Sequence, residues 1–496
     1  MKKYILYFAA VASVSIVSCR KIETDGEPII ITQPGGPSGP TNPASKTVTL
    51  SSHVTRDTTL LAIDNNILSG IVYVDAGVTL TVQKGATVKA TFAGTSTAAL
   101  IINRGAKLVA IGTQSEPIVF TSASPSPVSG DWGGIVLLGK AAINSSNGGA
   151  PGLYIPEGGF SINNAAKDGY AGSGDALVPT PVNNDNSGVL QYVRIEYAGY
   201  AFLPNQEINS LTMACVGSGT TIDHIQVTYA KDDAFEWFGG TVNCKYLIAY
   251  KTQDDDFDTD NGYNGSVQFG LIVRDSSIAD VSRSESFESD NDGNGSTLTP
   301  KTSAVFCNVS SFGPAAAASN RGNSNYLGAA VQIRRNSSLS IFNSAFIGWT
   351  AGLLLDASTG TATDKNYSDS TLRLKGILLI SCATPLQYTA SGTPTGFTLA
   401  NFDSTFRAPN NRNRIIAANA SGEQNTYTRP FDYRTPDFAP FGNSAVVLSA
   451  SVASSYFDDP ILVARPFITR VDFLGGVAPS GENANWYKGW TKFGGQ

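Results

Sequence analysis

Three segments in the middle of the chain repeat one motif, in which acids flank a Phe. They are Asp232-Asp233-Ala234-Phe235-Glu236, Asp254-Asp255-Asp256-Phe257-Asp258-Thr259-Asp260 and Glu285-Ser286-Phe287-Glu288-Ser289-Asp290-Asn291-Asp292. Short alternating strands between them also superpose: Tyr192 to Tyr197, His224 to Tyr229, Tyr246 to Tyr250, then Phe269 to Val273. Their apolar columns are Val193/Ile225/Leu247 and Ile195/Val227/Ala249. A unit of about twenty to thirty-odd residues, each a strand closed by a Gly-, Asn- and Asp-rich turn, is the signature of a parallel solenoid. A sandwich also alternates, but its hairpins would not repeat one turn chemistry after each strand. The expected fold is all-β, a right-handed parallel β-helix.

Aligned on the Phe, the acids form columns: Asp233/Asp255/Glu285, Glu236/Asp258/Glu288, and Asp260 with Asp290. On successive coils these carboxylates would sit about 4.8 Å apart, a crowding of like charge that invites a hard divalent cation such as Ca²⁺. The candidate ligands are Asp232, Asp233, Glu236, Asp254, Asp255, Asp258, Asp260, Glu285, Glu288, Asp290 and Asp292. Glu288 to Gly295 also reads like the start of an acidic calcium loop. It has no Glu at the twelfth position and no flanking helices, which separates it from an EF-hand.

The N-terminus carries a basic start at Lys2-Lys3, an apolar stretch from Tyr4 to Val17 too short to span a bilayer, and Ile16-Val17-Ser18-Cys19. The last four residues resemble the bacterial lipobox, which implies a signal peptide over 1–18 and lipidation of Cys19. Residues 19–45 carry Pro28, Pro34, Pro37, Pro40 and Pro43 and read as an extended tether. Residues 46–393 read as the solenoid, with an irregular insertion at 141–188, and residues 394–496 as a C-terminal cap covering its exposed core and edge. A loop as long as the insertion is more often a lid than a connector, and over the acidic coils it would wall a cleft. Attachment to the membrane is expected through the lipid alone.

Gly at 50 of 496 residues and charged residues at only 15% suit a turn-rich β solenoid. The net charge of −6, with no basic block, makes nucleic acid a poor partner. Cys215, Cys244, Cys307 and Cys382 lie in apolar strand contexts with no zinc spacing, so buried thiols are favoured over disulfides. Trp486 and Trp490 near the end are read as packing residues of the cap rather than a sugar platform. His53 and His224 are the only histidines, neither beside a nucleophile motif, which leaves a Ser-His-Asp site with little support.

Leu68 to Val74, Glu116 to Ser122, Gly130-Asp131-Trp132-Gly133-Gly134 and Phe235-Glu236-Trp237-Phe238-Gly239-Gly240 resemble a set of exported Bacteroidetes-type β-helix lipoproteins of unassigned activity. That resemblance implies a pectate-lyase-like fold and a cell-envelope location, and the charged stretch Arg20 to Glu27 loosely resembles the surface-export signals of such lipoproteins, which implies display on the outer-membrane surface. Locally, Asp254, Asp255 and Asp258, with Asp232 or Asp233 one coil earlier, are similar to the calcium cluster of polysaccharide lyase family 9. Such lyases need a lysine base, and none stands near Glu285 to Asp292. Arg274, Arg283 and Lys251 are the candidate bases, although the high pKa of arginine disfavours that role. The expectation is therefore a monomeric surface lipoprotein whose Ca²⁺-binding face presents to an acidic polysaccharide or a surface protein. The alternatives are a Ca²⁺-dependent polysaccharide lyase or glycoside hydrolase on the same face, and a structural accessory to an outer-membrane importer.

Overall fold

The computed structural model describes residues 45–494, apart from 93, 95–96, 159–167, 204–205, 281–282, 315–327, 418–426, 433–434 and 441–453. The expected signal peptide, Cys19 and the tether as far as residue 44 lie outside the described residues. From Thr47 to Ile416 the chain winds as a right-handed parallel β-helix, its strands joined into one 26-stranded sheet. In the central coils Gly188–Glu196 pairs in parallel with Thr221–Thr228, that strand with Asn243–Tyr250, that in turn with Ser266–Val273, and Ser266–Val273 with Val305–Phe312. The register places Val193, Ile225 and Leu247 in one column and Ile195, Val227 and Ala249 in another, all fully buried. Alternation explains this, since residues two apart share a face of the pleat and the inward face forms the core.

One position in each of these strands leaves the ladder. Tyr192, His224, Tyr246 and Phe269 take positive φ values of 51°, 55°, 59° and 66°. Left-handed backbone is costly for bulky residues, so its recurrence in register marks a corner that every coil must turn. Three stacked contacts offset that cost, with ring centroids 4.3, 4.3 and 4.8 Å apart. On another corner the bend falls at Gly239-Gly240, where a Cβ on Gly240 would lie 2.5 Å from the carbonyl of Val216. Only glycine fits there.

The C-terminal part divides in two. The helix Leu399–Phe406 buries Phe402 and Phe406, with Phe402 5.2 Å from the ring of Tyr367, and lies beside the strand Thr384–Thr389 near the last coils. The rest runs back along the flank. Asn308 donates to the carbonyl of Phe473, Gln268 to that of Thr469, Gln226 to that of Lys492, and Arg194 to that of Trp490. Reading 394–496 as one cap therefore needs correction, because its final stretch covers the side of the helix rather than its end. Trp490 closes over the aromatic corner at 5.7 Å from both Tyr192 and His224, its indole N–H donating to the carbonyl of Trp486. Cys215, Cys244, Cys307 and Cys382 are free, buried thiols, their pKa values pushed up by burial.

Candidate functional site

The acidic face is built on a column of short strands, Leu211–Ala214, Phe235–Phe238, Phe257–Asp260, Phe287–Ser289 and Ala329–Ile333, paired in parallel. Phe235, Phe257 and Phe287 point inward in one register, with successive ring centroids 5.6 and 5.2 Å apart. Because alternate residues face opposite ways, the aromatic ladder sends Glu236, Asp258 and Glu288 outward as the expected column. The second column is stitched by the backbone. The N–H of Asp255 donates to Oδ1 of Asp233 at 2.8 Å, and that of Glu285 to Oδ1 of Asp255 at 2.5 Å. Each of these two aspartates thus spends one oxygen on the next coil and keeps the other.

Three sets of carboxylates come within 4.8 Å of one another: Asp232/Asp233/Asp254, Asp233/Glu236/Asp258, and Asp255/Glu285/Glu288. Asp233 belongs to two of them. Burial, followed by the charge of Glu207 and other acids, raises Asp232 to about 8; burial and the charge of Asp255 raise Asp254 to about 9. Asp233, Glu236, Asp258, Asp260 and Glu285 are pushed well above the usual carboxylate range, first by burial and then by neighbouring acids. Asp258 Oδ1 and Glu285 Oε1 are buried and accept no hydrogen bond. Buried acceptors without donors are costly, and a cation among them relieves both the desolvation and the repulsion.

Not every acid of the motif joins this group. Asp290 accepts from Arg334 at 2.9 and 3.2 Å and from Arg335 at 2.5 Å, while Glu288 also pairs with Arg334. Asp292 is committed to its own turn, accepting from the N–H groups of Asn294 and Ser296, both at 3.0 Å, and from the Ser296 hydroxyl at 2.6 Å. Asp260 accepts from the N–H of Asn261 and lies beyond the three sets. Asp260, Asp290 and Asp292 thus stand outside the three sets, held by arginines or by their own turns, since alternating acids also serve ordinary turns.

The three candidate bases separate. Arg274 is buried, its guanidinium 3.0 Å from Asp256 with both side chains at 0% exposure, and it donates to the carbonyl of Asp254 at 2.6 Å. Held there, it supports the acidic turn from inside, which corrects its assignment as a base. Lys251 pairs with Asp275 at 2.9 Å and lines a different cavity, with Tyr229 and Gln253. Arg283 alone reaches the acidic face. It lines a cavity of about 350 Å³ with Asp254, Asp255, Glu285, Gln332 and Arg334. Arg334 was missed because it comes from the next coil, in the segment after a long connection, and no acid–Phe–acid motif marks it.

Described parts of the insertion at 141–188 pack over this face. Ala142 accepts from the N–H of Gly240, Asn144 donates to the carbonyls of Asn291 and Pro300, and Tyr154 lies 5.2 Å from the ring of Phe238. The charges of Glu236 and Asp260 reach Tyr154, and that of Glu157 reaches Glu236 and Asp232. These described residues of the insertion thus lie beside the acids.

The model of the pectate-lyase-like β-helix domain matches residues 52–428. The chain belongs to that family. Comparison with curated proteins and with solved structures returns no match. Membership accounts for the coils and fits a polysaccharide-related function.

Proposed function

We propose that this pectate-lyase-like β-helix is a surface-tethered lipoprotein that binds Ca²⁺ through Asp232, Asp233, Glu236, Asp254, Asp255, Asp258 and Glu285 and presents the bound ion to an acidic polysaccharide. The observation carrying this reading is the trio of overlapping carboxylate sets with buried, donor-less oxygens on Asp258 and Glu285. Oxygen-only sites of this kind suit a large hard cation. Bound Ca²⁺ would neutralise the acids and leave coordination positions for a sugar carboxylate. Arg283, on the wall of the same cavity, brings a guanidinium to that carboxylate, while Arg334 is held by Asp290 and Glu288 beside it.

The test is a pair of measurements on one preparation. Ca²⁺ at a hundred times its dissociation constant should stabilise the fold by about 2.7 kcal/mol, and polygalacturonate should be retained only when the ion is present. Asp255→Asn with Asp258→Asn should abolish both effects. Identical melting curves in chelator and in Ca²⁺ would defeat the ion site; a Ca²⁺ shift without retention of any polyuronate would leave a structural role. Lyase action is the second reading, favoured by Arg283 beside the acids. Absorbance of an unsaturated uronate that appears with Ca²⁺ and vanishes in Arg283→Ala would establish it. The anchor is checked separately by fatty-acid labelling, which Cys19→Ser should eliminate.

A further inference from the structure

A second cavity, of about 870 Å³, opens between the short helix Asp364–Ser368 and the segment that runs from Ser391 to Asn401. None of the acids discussed above lines it. Its volume falls in the range that takes small-molecule ligands. At its wall stands Asp364, 1% exposed. One carboxylate oxygen, Oδ2, accepts the hydroxyls of Tyr388 at 2.6 Å and Thr395 at 2.7 Å. The other, Oδ1, is buried and has no hydrogen-bond partner, and the hydroxyl of Tyr367 on the same wall is also without one.

A buried carboxylate oxygen lacking a donor is uncommon in folded proteins and calls for one. The remaining lining narrows what could bring it. Lys365 and Asp369 balance at the mouth, so buried Asp364 leaves the wall net negative and an anionic sugar is disfavoured. Thr393 and Asn401 add further hydroxyl and amide groups. Phe397, half-buried and packed edge-on against Tyr388 at 5.2 Å, adds an apolar ring. A carboxylate that accepts hydroxyls, beside an aromatic ring that meets C–H faces, is the chemistry that holds a neutral sugar. We propose that this cavity is a separate saccharide site for a neutral, hydroxyl-rich sugar unit. It is independent of the calcium-dependent face.

The experiment uses the full-length chain in detergent with a chelator present, so that the acidic face makes no ion-mediated contribution. Neutral tetrasaccharides of glucose, galactose, mannose and N-acetylglucosamine are titrated in turn by calorimetry. At least one should bind, and Asp364→Asn should weaken it about tenfold or more, because the acceptor is exchanged for an amide. Asp364 is buried, so the surface variant Thr393→Trp, which fills the cavity from an exposed position, supplies the second arm and should abolish binding. Asp255→Asn should leave binding unchanged. Absence of binding by all four sugars up to about 10 mM, an affinity too weak to count as a site, would overturn the proposal. Undiminished binding by Thr393→Trp would do the same. So would a Ca²⁺ stoichiometry that Asp364→Asn lowers by one, since Oδ1 would then be a cation ligand.

Discussion

The same coils carry two stacked columns with opposite consequences. On one corner Tyr192, His224, Tyr246 and Phe269 stack ring on ring, and the C-terminal segment closes over them with Trp486 and Trp490. On another face Asp233, Asp255 and Glu285 stack carboxylate on carboxylate, beside a cavity lined by Arg283 and Arg334. A repeat copies whatever residue sits at a position. Copied aromatics attract and complete themselves with chain already present, whereas copied acids repel and stay incomplete until something else arrives. The first column is accordingly sealed and the second left open.

The largest expected effect strikes the sealed column. Trp490→Ala removes a fully buried indole and its hydrogen bond to Trp486, and should cost about 3–5 kcal/mol in urea unfolding. A loss under about 1 kcal/mol would mean that the flank segment is dispensable and the comparison false.

An intermediate effect belongs to the open column, and its sign depends on pH. Asp232 and Asp254 titrate near 8 and 9 in the fold, against about 3.9 in an unfolded chain. Between those values the folded chain holds protons the unfolded chain has released, so stability without a divalent ion falls as pH rises from about 4 to about 9. Thermal unfolding in chelator should therefore occur at lower temperature at pH 8.5 than at pH 5.5. Asp255→Asn with Asp258→Asn should flatten that slope and stabilise the ion-free protein at high pH by about 1–3 kcal/mol. A flat pH profile in the parent chain would show that the carboxylates do not strain the fold.

The smallest effect is expected outside both columns. Asp458, 75% exposed at the side chain, pairs with Arg470, itself 56% exposed, at 3.0 Å. Asp458→Asn should change stability by less than about 0.5 kcal/mol and leave any Ca²⁺ response intact. A larger change would indicate that negative charge anywhere on the chain, rather than its stacking, governs the response.

What could be read in the sequence was whatever the repeat itself encodes. The Phe repeated in each acidic segment became a core ladder, and with it the outward column Glu236/Asp258/Glu288 followed from alternation alone. The apolar columns beginning at Val193 and Ile195 were legible for the same reason. Other assignments needed the third dimension, because they join residues far apart in the chain. Arg274 turned inward to Asp256 and left the cavity, while Arg334 entered it from a later coil to take Asp290 and Glu288. Trp490 reached back to Tyr192 along the flank. Asp364 met Tyr388 and Thr395 across a bend that no periodicity announces. Local alternation determines which way a side chain points, a property of two neighbouring residues. Which charge it then meets is decided by how the coils and the returning tail stack, and that contact is long-range.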